Sequence, residues 1–473
     1  MQKNEYICKG KTVIIVICLL VLPTISTLSQ TDIIIKGHVK DHADGHPLEE
    51  AEIYLDDAEN PADLTKTDGY YEATINTRGV HKVTARKSWY DSAEQRVPVR
   101  ENVNICDFRL SRATRVRVGA VLSVTGPLSS VGGPQKKTLE MIAKQINDAK
   151  GINGHKLELI IYDDEGNISN SLIAITKLIE MDEVSVVLGP SFNAASVPAI
   201  RLAESYEIPI ISFGSSDEIA YNEREKRPFK WVFKIPPSDS IAIEAIYSHL
   251  RDTGIKKVAI MSENTDYGLR IQRELIKLAA QYGFEISANE SYNPELSDFT
   301  PQLAKIKRSN PEAIINWSVG SSQVIIARQR YDMGMKDIPF YQSPYFSNIK
   351  YIETLGWAAE GVFCPQDAIF IWKLLPSDNL QKREILEYLN DYRRFYDEGT
   401  SYGGSYAWDA INLVVDAIKM VGPDSFLIRE YLEKGEDYVG QNGVFKFSPD
   451  NHNGPIKSAF YITVVKGGEW TLP

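Results

Sequence analysis

From Thr114 onward the chain alternates short, continuous apolar runs with longer segments of helical periodicity, and that alternation leaves few folds open. Runs at 116–121 (VRVGAV), 157–162 (LELIIY), 184–188 (VSVVL) and 208–212 (IPIIS) read as strands, separated by amphipathic stretches at 135–149, 172–180 and 195–205. Strands that are apolar on both faces belong to parallel sheets covered by helices on each side. After Pro236-Pro237 the alternation begins again, with helical periodicity at 241–251, 269–281, 299–307 and 323–333. Strand patterns fall at 257–261, 285–290 and 313–317, and another begins at Phe340-Tyr341. Two βα halves joined by a proline-containing crossover predict an α/β domain of two similar parallel-sheet lobes with a hinge. Residues after Gly361 are expected to cross back to the first lobe.

The segment from Ile33 to Leu110 has a different period. Runs such as 51–55 (AEIYL), 70–75 (YYEATI) and 81–85 (HKVTA) are short and alternating, with turn pairs Asp44-Gly45, Asn60-Pro61 and Asp68-Gly69 between them. That pattern predicts a small all-β sandwich. The residues Lys36-Gly37-His38-Val39, Asp44-Gly45-His46-Pro47-Leu48 and Thr67-Asp68-Gly69-Tyr70-Tyr71 resemble the carboxypeptidase regulatory-like family, whose members are non-catalytic β-sandwich modules. His38, His42 and His46 recur every fourth residue, but on a strand and a turn they diverge, so no metal site is expected.

At the start, Lys3, Lys9 and Lys11 precede an apolar run at 12–22 that ends at Pro23, with Ser26, Thr27 and Ser29 beyond. Basic, apolar, then small and polar is the order of a secretory signal peptide. An uncleaved anchor and lipid attachment at Cys18 are the alternatives; the run is short for a span, and Ile15 and Ile17 are bulky for a lipid signal. The expected organisation is a signal at 1–29, the sandwich at 32–112 and the two-lobed domain at 113–473. Within that domain the first lobe takes about 114–238 and 366–450, and the second about 239–365 and 451–473. The mature protein is expected in the periplasm or outside the cell. Cys106 and Cys364 are read as buried thiols, although an oxidising compartment permits a bridge. A net charge of −11 argues against nucleic acid as a partner.

In such sheets, ligands bind at the carboxyl ends of strands. The loops there are Ser123-Val124-Thr125-Gly126-Pro127, Gly189-Pro190-Ser191-Phe192-Asn193, Phe213-Gly214-Ser215-Ser216-Asp217 and 262–268 (SENTDYG). Each reads as an ordinary helix cap; several converging on one cleft would also present free amides to a carboxylate. Asp163-Asp164-Glu165 looks like an acidic pair for catalysis or calcium but follows a first-lobe strand. The sequence has no nucleophile elbow and no phosphate-binding Gly-Lys-Ser/Thr loop, so no catalytic residue, metal or cofactor is expected.

An ordered series of motifs carries a further resemblance: Thr125-Gly126-Pro127, Gly151-Ile152-Asn153-Gly154, Tyr162-Asp163-Asp164-Glu165-Gly166-Asn167, Leu188-Gly189-Pro190-Ser191, Asp266-Tyr267-Gly268, Tyr406-Ala407-Trp408-Asp409-Ala410 and Asn442-Gly443-Val444-Phe445. With these the chain resembles type I periplasmic binding proteins of the leucine/isoleucine/valine-binding class, the solute receptors of ABC transporters. The resemblance implies a small-molecule ligand, an amino acid or analogue, captured by lobe closure and delivered to a membrane permease by a monomeric receptor that is not an enzyme. It places a carboxylate at Asn193, Gly214 and Ser216, an aromatic cover at Tyr267, further contacts at Trp317, Ser318 and Ser343, and Val131 at the cleft mouth. The sequence departs from the class where an acid should hold the ligand's ammonium: Ser343 and Pro344 stand there. Asp217, Glu263 and Asp266 are the nearest alternatives; otherwise the ligand is an amide, a urea-like compound or an aromatic acid. A sensing or interaction receptor of the same fold is the rival reading.

Overall fold

The computed structural model describes residues 33–397, 402–435, 437–455 and 459–473. The segment 1–29, expected to be a signal peptide, lies outside the described residues with Cys8 and Cys18.

The first lobe is built on five parallel strands in the spatial order Leu157–Asp163, Val116–Leu122, Val186–Leu188, Ile210–Ser212, Val232–Lys234. Side chains alternate across this sheet. Val116, Val118, Ala120 and Leu122 join a core with the helices Ser129–Asp148, Leu380–Tyr396 and Tyr402–Val421. Val121, Val187, Ile210 and Val232 join one with Ile168–Glu180, Asn193–Tyr206 and Ser425–Glu433. Two buried faces explain why these strands read as unbroken apolar runs.

The second lobe carries the spatial order Glu285–Tyr292, Lys257–Glu263, Ala313–Trp317, Phe340–Gln342, Val362–Asp367, Phe460–Lys466, Glu469–Thr471, and its last two strands are antiparallel. Its faces are covered in the same way. Helices Asp239–Asp252 and Asp266–Tyr282 lie on the side of Val258, Ile260 and Trp317; Thr300–Arg308, Ser322–Asp332 and Ile349–Leu355 lie on the side of Ala259, Met261 and Phe340. The chain therefore passes between the lobes after Lys234, after Asp367 and before Phe460.

One element differs from its sequence pattern. The first helix begins at Ser129, not at 135, although Gly132, Gly133 and Pro134 are poor helix formers. Tertiary packing overrides propensity there: a Cβ on Gly132 would come 2.1 Å from the Ser123 carbonyl oxygen, so the glycine lets the helix lie directly on the strand-end loop.

Residues 33–110 form two four-stranded sheets around Ile35, Val39, Ile53, Tyr71, Val83 and Phe108. Cys106 is buried in this sandwich and Cys364 in the second-lobe core, both as free thiols. The sandwich is docked on the first lobe. Arg86 Nη1 donates to both carboxylate oxygens of Asp424, at 2.9 and 3.0 Å, and its guanidinium lies 4.2 Å from the Phe426 ring centroid. Trp89 stacks on His155 at 5.1 Å, and Tyr54 packs edge-on to Phe426.

Since the Arg86–Asp424 pair is mostly buried, removing the guanidinium strands a carboxylate. Arg86→Ala is expected to weaken the docking by about 2–3 kcal/mol. The loss should appear as faster proteolysis at residues 111–115 with an unchanged melting temperature for the two-lobed domain.

Candidate functional site

The carboxyl ends of the two sheets face one another, and Ser215 Oγ lies 3.3 Å from Tyr345 OH, joining the loop after Ile210–Ser212 to the loop after Phe340–Gln342. On the first-lobe side the helix Asn193–Tyr206 begins without any side-chain cap. Its first-turn amides are thus open to an anion. The Asn193 side chain bonds elsewhere, with its Oδ1 accepting the Ser216 amide at 3.1 Å. The Gly214 amide donates to Ser212 Oγ at 3.0 Å. Asn193, Gly214 and Ser216 are brought together as expected, but the amides of Gly214 and Ser216 are not free, and any anion contact falls to the helix start. Gly214 is needed for this closure, because a Cβ there would come 2.6 Å from Asn193 Oδ1 and 2.5 Å from Ile219 Cδ1.

On the second-lobe side, Thr265 caps the helix Asp266–Tyr282 and places Tyr267 at its start. Tyr267 OH donates to Asp239 Oδ1 at 3.1 Å and accepts from Trp317 Nε1 at 3.0 Å. Its hydroxyl is occupied within the lobe, and the Tyr345 ring lies edge-on to its ring at 6.3 Å. Trp317 is fully buried in the second-lobe core. Its Nε1 bond braces Tyr267. Ser318 and Ser343 are also buried and bonded internally: Ser343 Oγ lies 2.7 Å from the Ser318 carbonyl and 3.0 Å from Gln323 Oε1. Val131 is half-buried and faces the start of the first-lobe helix Tyr402–Val421, where a Cβ on Gly403 would come 2.8 Å from its carbonyl oxygen.

Beneath the gap lies a charged group that the sequence did not single out. Lys234, fully buried, donates to the carbonyls of Ser215 (3.1 Å) and Pro236 (2.9 Å) and to Ser238 Oγ (2.9 Å). Burial pulls its ammonium down from the usual range, opposed by Asp217 and Asp239. Burial pushes the Asp239 carboxyl up, with Asp217 adding to the effect and Arg270, 3.7 Å away, opposing it.

The acids near the cleft differ in how their charge is met. Glu263 accepts from Thr265 Oγ1 (2.6 Å) and from the Val319 amide (3.0 Å). Asp163 and Asp164 bind the loops around them through Val124, Thr125, Ser123 and Ser171, which makes them a structural knot. The side chain of Asp266 lies outside the described atoms. Asp367, at the end of Val362–Asp367, stands apart. Tyr406 OH donates to its Oδ2 at 3.2 Å across the lobes, while its buried Oδ1 has no hydrogen-bond partner. An unmet buried acceptor costs about 1–3 kcal/mol, more when charged. Burial accordingly pushes the Asp367 carboxyl up to about 7. Sequence reasoning missed Asp367 because a lone acid closing an apolar run gives no pattern. Among the described residues no group of three or more His, Cys, Asp or Glu is placed to hold a metal, and no helix is long and apolar enough to cross a membrane.

Between about pH 4 and 7 the folded state keeps a proton on Asp367 that the unfolded chain has released, so this group's contribution to stability falls as pH rises through that window. Asp367→Asn should therefore flatten the stability profile, gaining on the wild type at pH 8 and not at pH 4 in urea titrations. An equal shift at both pH values would contradict the assignment.

Residues 115–469 match a family described as periplasmic binding protein; the sandwich lies outside the match. The chain is 27% identical over 221 residues to the Leu/Ile/Val-binding protein homolog 1 of Brucella suis, covering 47% of this chain and 58% of that protein, so the match spans little more than half of the relative. It is 24% identical over 254 residues to the leucine-, isoleucine-, valine-, threonine-, and alanine-binding protein of Pseudomonas aeruginosa, covering 53% and 66% of the two chains. Among solved structures it resembles an extracellular ligand-binding receptor from Rhodopseudomonas palustris, with a TM-score of 0.65 at 26% identity over 76% of this chain and 99% of the other. It also resembles the branched-chain amino acid transporter substrate binding protein LivJ of Streptococcus pneumoniae, solved with isoleucine, with a TM-score of 0.61 at 23% identity over 75% and 97%.

Proposed function

The chain belongs to the periplasmic binding protein family, and from that membership we propose that it is an exported receptor that captures an amino acid or a similar small carboxylate between its lobes and presents it to an ABC transporter permease. The observation that carries this reading is the facing of the two sheet edges: an uncapped helix start on one, two tyrosine rings on the other, and the Ser215–Tyr345 bond between them. A ligand that touches both edges stabilises only the closed arrangement, so its binding energy shifts the equilibrium between open and closed forms. A permease can then recognise the loaded state. The family consists of solute-binding proteins, and we place this chain with them as a non-catalytic, monomeric carrier. The names of the relatives point to branched-chain amino acids as the first ligands to try.

The docked sandwich favours a second reading, a sensor that signals through a separate membrane partner. Its Arg86–Asp424 contact makes it a fixed extension of the first lobe, a suitable handle for a protein partner. Transport and sensing separate in a deletion strain: loss of uptake of the ligand supports the first, and loss of a transcriptional response with uptake intact supports the second.

Native mass spectrometry of gently purified protein should reveal a co-purified small molecule. In calorimetric titrations with that molecule, Tyr267→Ala and Asn193→Ala should each weaken binding by about tenfold or more while the protein stays folded. Unchanged affinity in both variants would refute the pocket.

A further inference from the structure

The resemblance leaves an ammonium-bearing ligand without a counter-charge, since Ser343 occupies the expected place and is itself buried and bonded within the second lobe. A buried ammonium needs an acid with an open oxygen. Each candidate acid can be tested against its partners. Glu263 spends one carboxylate oxygen on the Thr265 hydroxyl and the other on the Val319 amide. Asp239 has Tyr267 OH on one oxygen; its other oxygen accepts no hydrogen bond, but Arg270 lies 3.7 Å from it and the Lys234 ammonium acts on the carboxylate, so its charge is met. Asp217 acts on that same lysine. Asp163 and Asp164 are consumed by the loops of their own lobe.

Asp367 differs in having no cation to meet its charge. It is buried, with Oδ1 unpartnered and no cation within ion-pair distance among the described residues. It lies at the carboxyl edge of the second sheet, on the strand next to the one that leads to Tyr345: Phe340 pairs with Val362 and Tyr341 with Phe363. It is also held by Tyr406 of the first lobe, at the point where the chain passes between the lobes.

We propose that Asp367, one strand away from the position the resemblance indicates, is the acid that receives the ligand's ammonium group, and that it makes the site selective for amino acids over the corresponding simple acids. This rests on the receptor reading above. On binding, the ammonium donates to Oδ1 while Tyr406 keeps Oδ2, so the carboxylate is satisfied from the ligand and from the first lobe at once. The ligand thereby helps to hold the lobes together through its amine as well as through its carboxylate.

The test uses the full chain and two matched probe pairs: L-leucine with 4-methylpentanoate, and L-phenylalanine with 3-phenylpropanoate. Affinities are measured for the wild type and for Asp367→Asn, with circular dichroism to confirm folding. The wild type should prefer at least one amino acid over its deaminated partner by tenfold or more, and the variant should lose that preference while binding the deaminated acid as before. A variant that weakens both members of a pair equally would show that Asp367 only shapes the lobe, and a variant with the amino acid affinity intact would place the counter-charge elsewhere; either result overturns the inference. Wild-type protein that binds both members of a pair alike overturns the inference but leaves the receptor reading standing. Wild-type protein that binds none of the four sinks both. If the asparagine variant does not fold, Asp367→Ser, which keeps a hydroxyl for Tyr406, carries the same comparison.

Discussion

One buried ammonium ties the floor of the cleft together. Lys234 ends the last first-lobe strand, and its three donors reach the Ser215 carbonyl, the Pro236 carbonyl and Ser238 Oγ. Those acceptors belong to the ligand-side loop, to the crossover and to the residue before the first helix of the second lobe. Asp239, which opens that helix, holds Tyr267, and Tyr267 in turn is braced by Trp317. A bare ammonium in the interior would be costly, but three good acceptors and nearby carboxylates meet it. The result is a continuous polar path from the carboxyl edge of one sheet to the aromatic wall of the other. The wall is therefore positioned relative to the crossover.

The charges around the gap are unevenly matched. Lys234, Asp239, Asp217 and Arg270 lie in one group where cation and anion can offset each other. Asp367 lies in none. Proteins rarely leave a buried carboxylate oxygen unmet, and such exceptions concentrate where a ligand or a moving part completes the set. The aromatic side shows the opposite arrangement: the Tyr267 hydroxyl both donates to Asp239 and accepts from Trp317.

The sandwich adds a third constraint. Its contacts run to the first lobe: Arg86 to Asp424, Tyr54 to Phe426, Trp89 to His155. A mixed interface of aromatic stacking and a mostly buried ion pair fixes orientation more firmly than a linker would. Closure of the second lobe can then proceed with the sandwich carried along as part of the first.

Much of this was written in local pattern. The period of the apolar residues from Thr114 onward set two parallel-sheet lobes, because a strand buried on both faces must be apolar throughout, and the shorter alternation before it set the sandwich. The loops at strand ends followed from the same pattern, whereas Asn193, Ser216 and Tyr267 were singled out by the resemblance. What the side chains do there was decided by tertiary structure alone. Whether the Ser216 amide is free depends on Asn193, whether Trp317 faces a ligand depends on Tyr267, and whether Asp367 has a partner depends on Tyr406. Those pairs are far apart in sequence. Periodicity is a property of neighbours along the chain, whereas the satisfaction of a buried polar atom is a property of whatever the fold brings within about 3 Å of it.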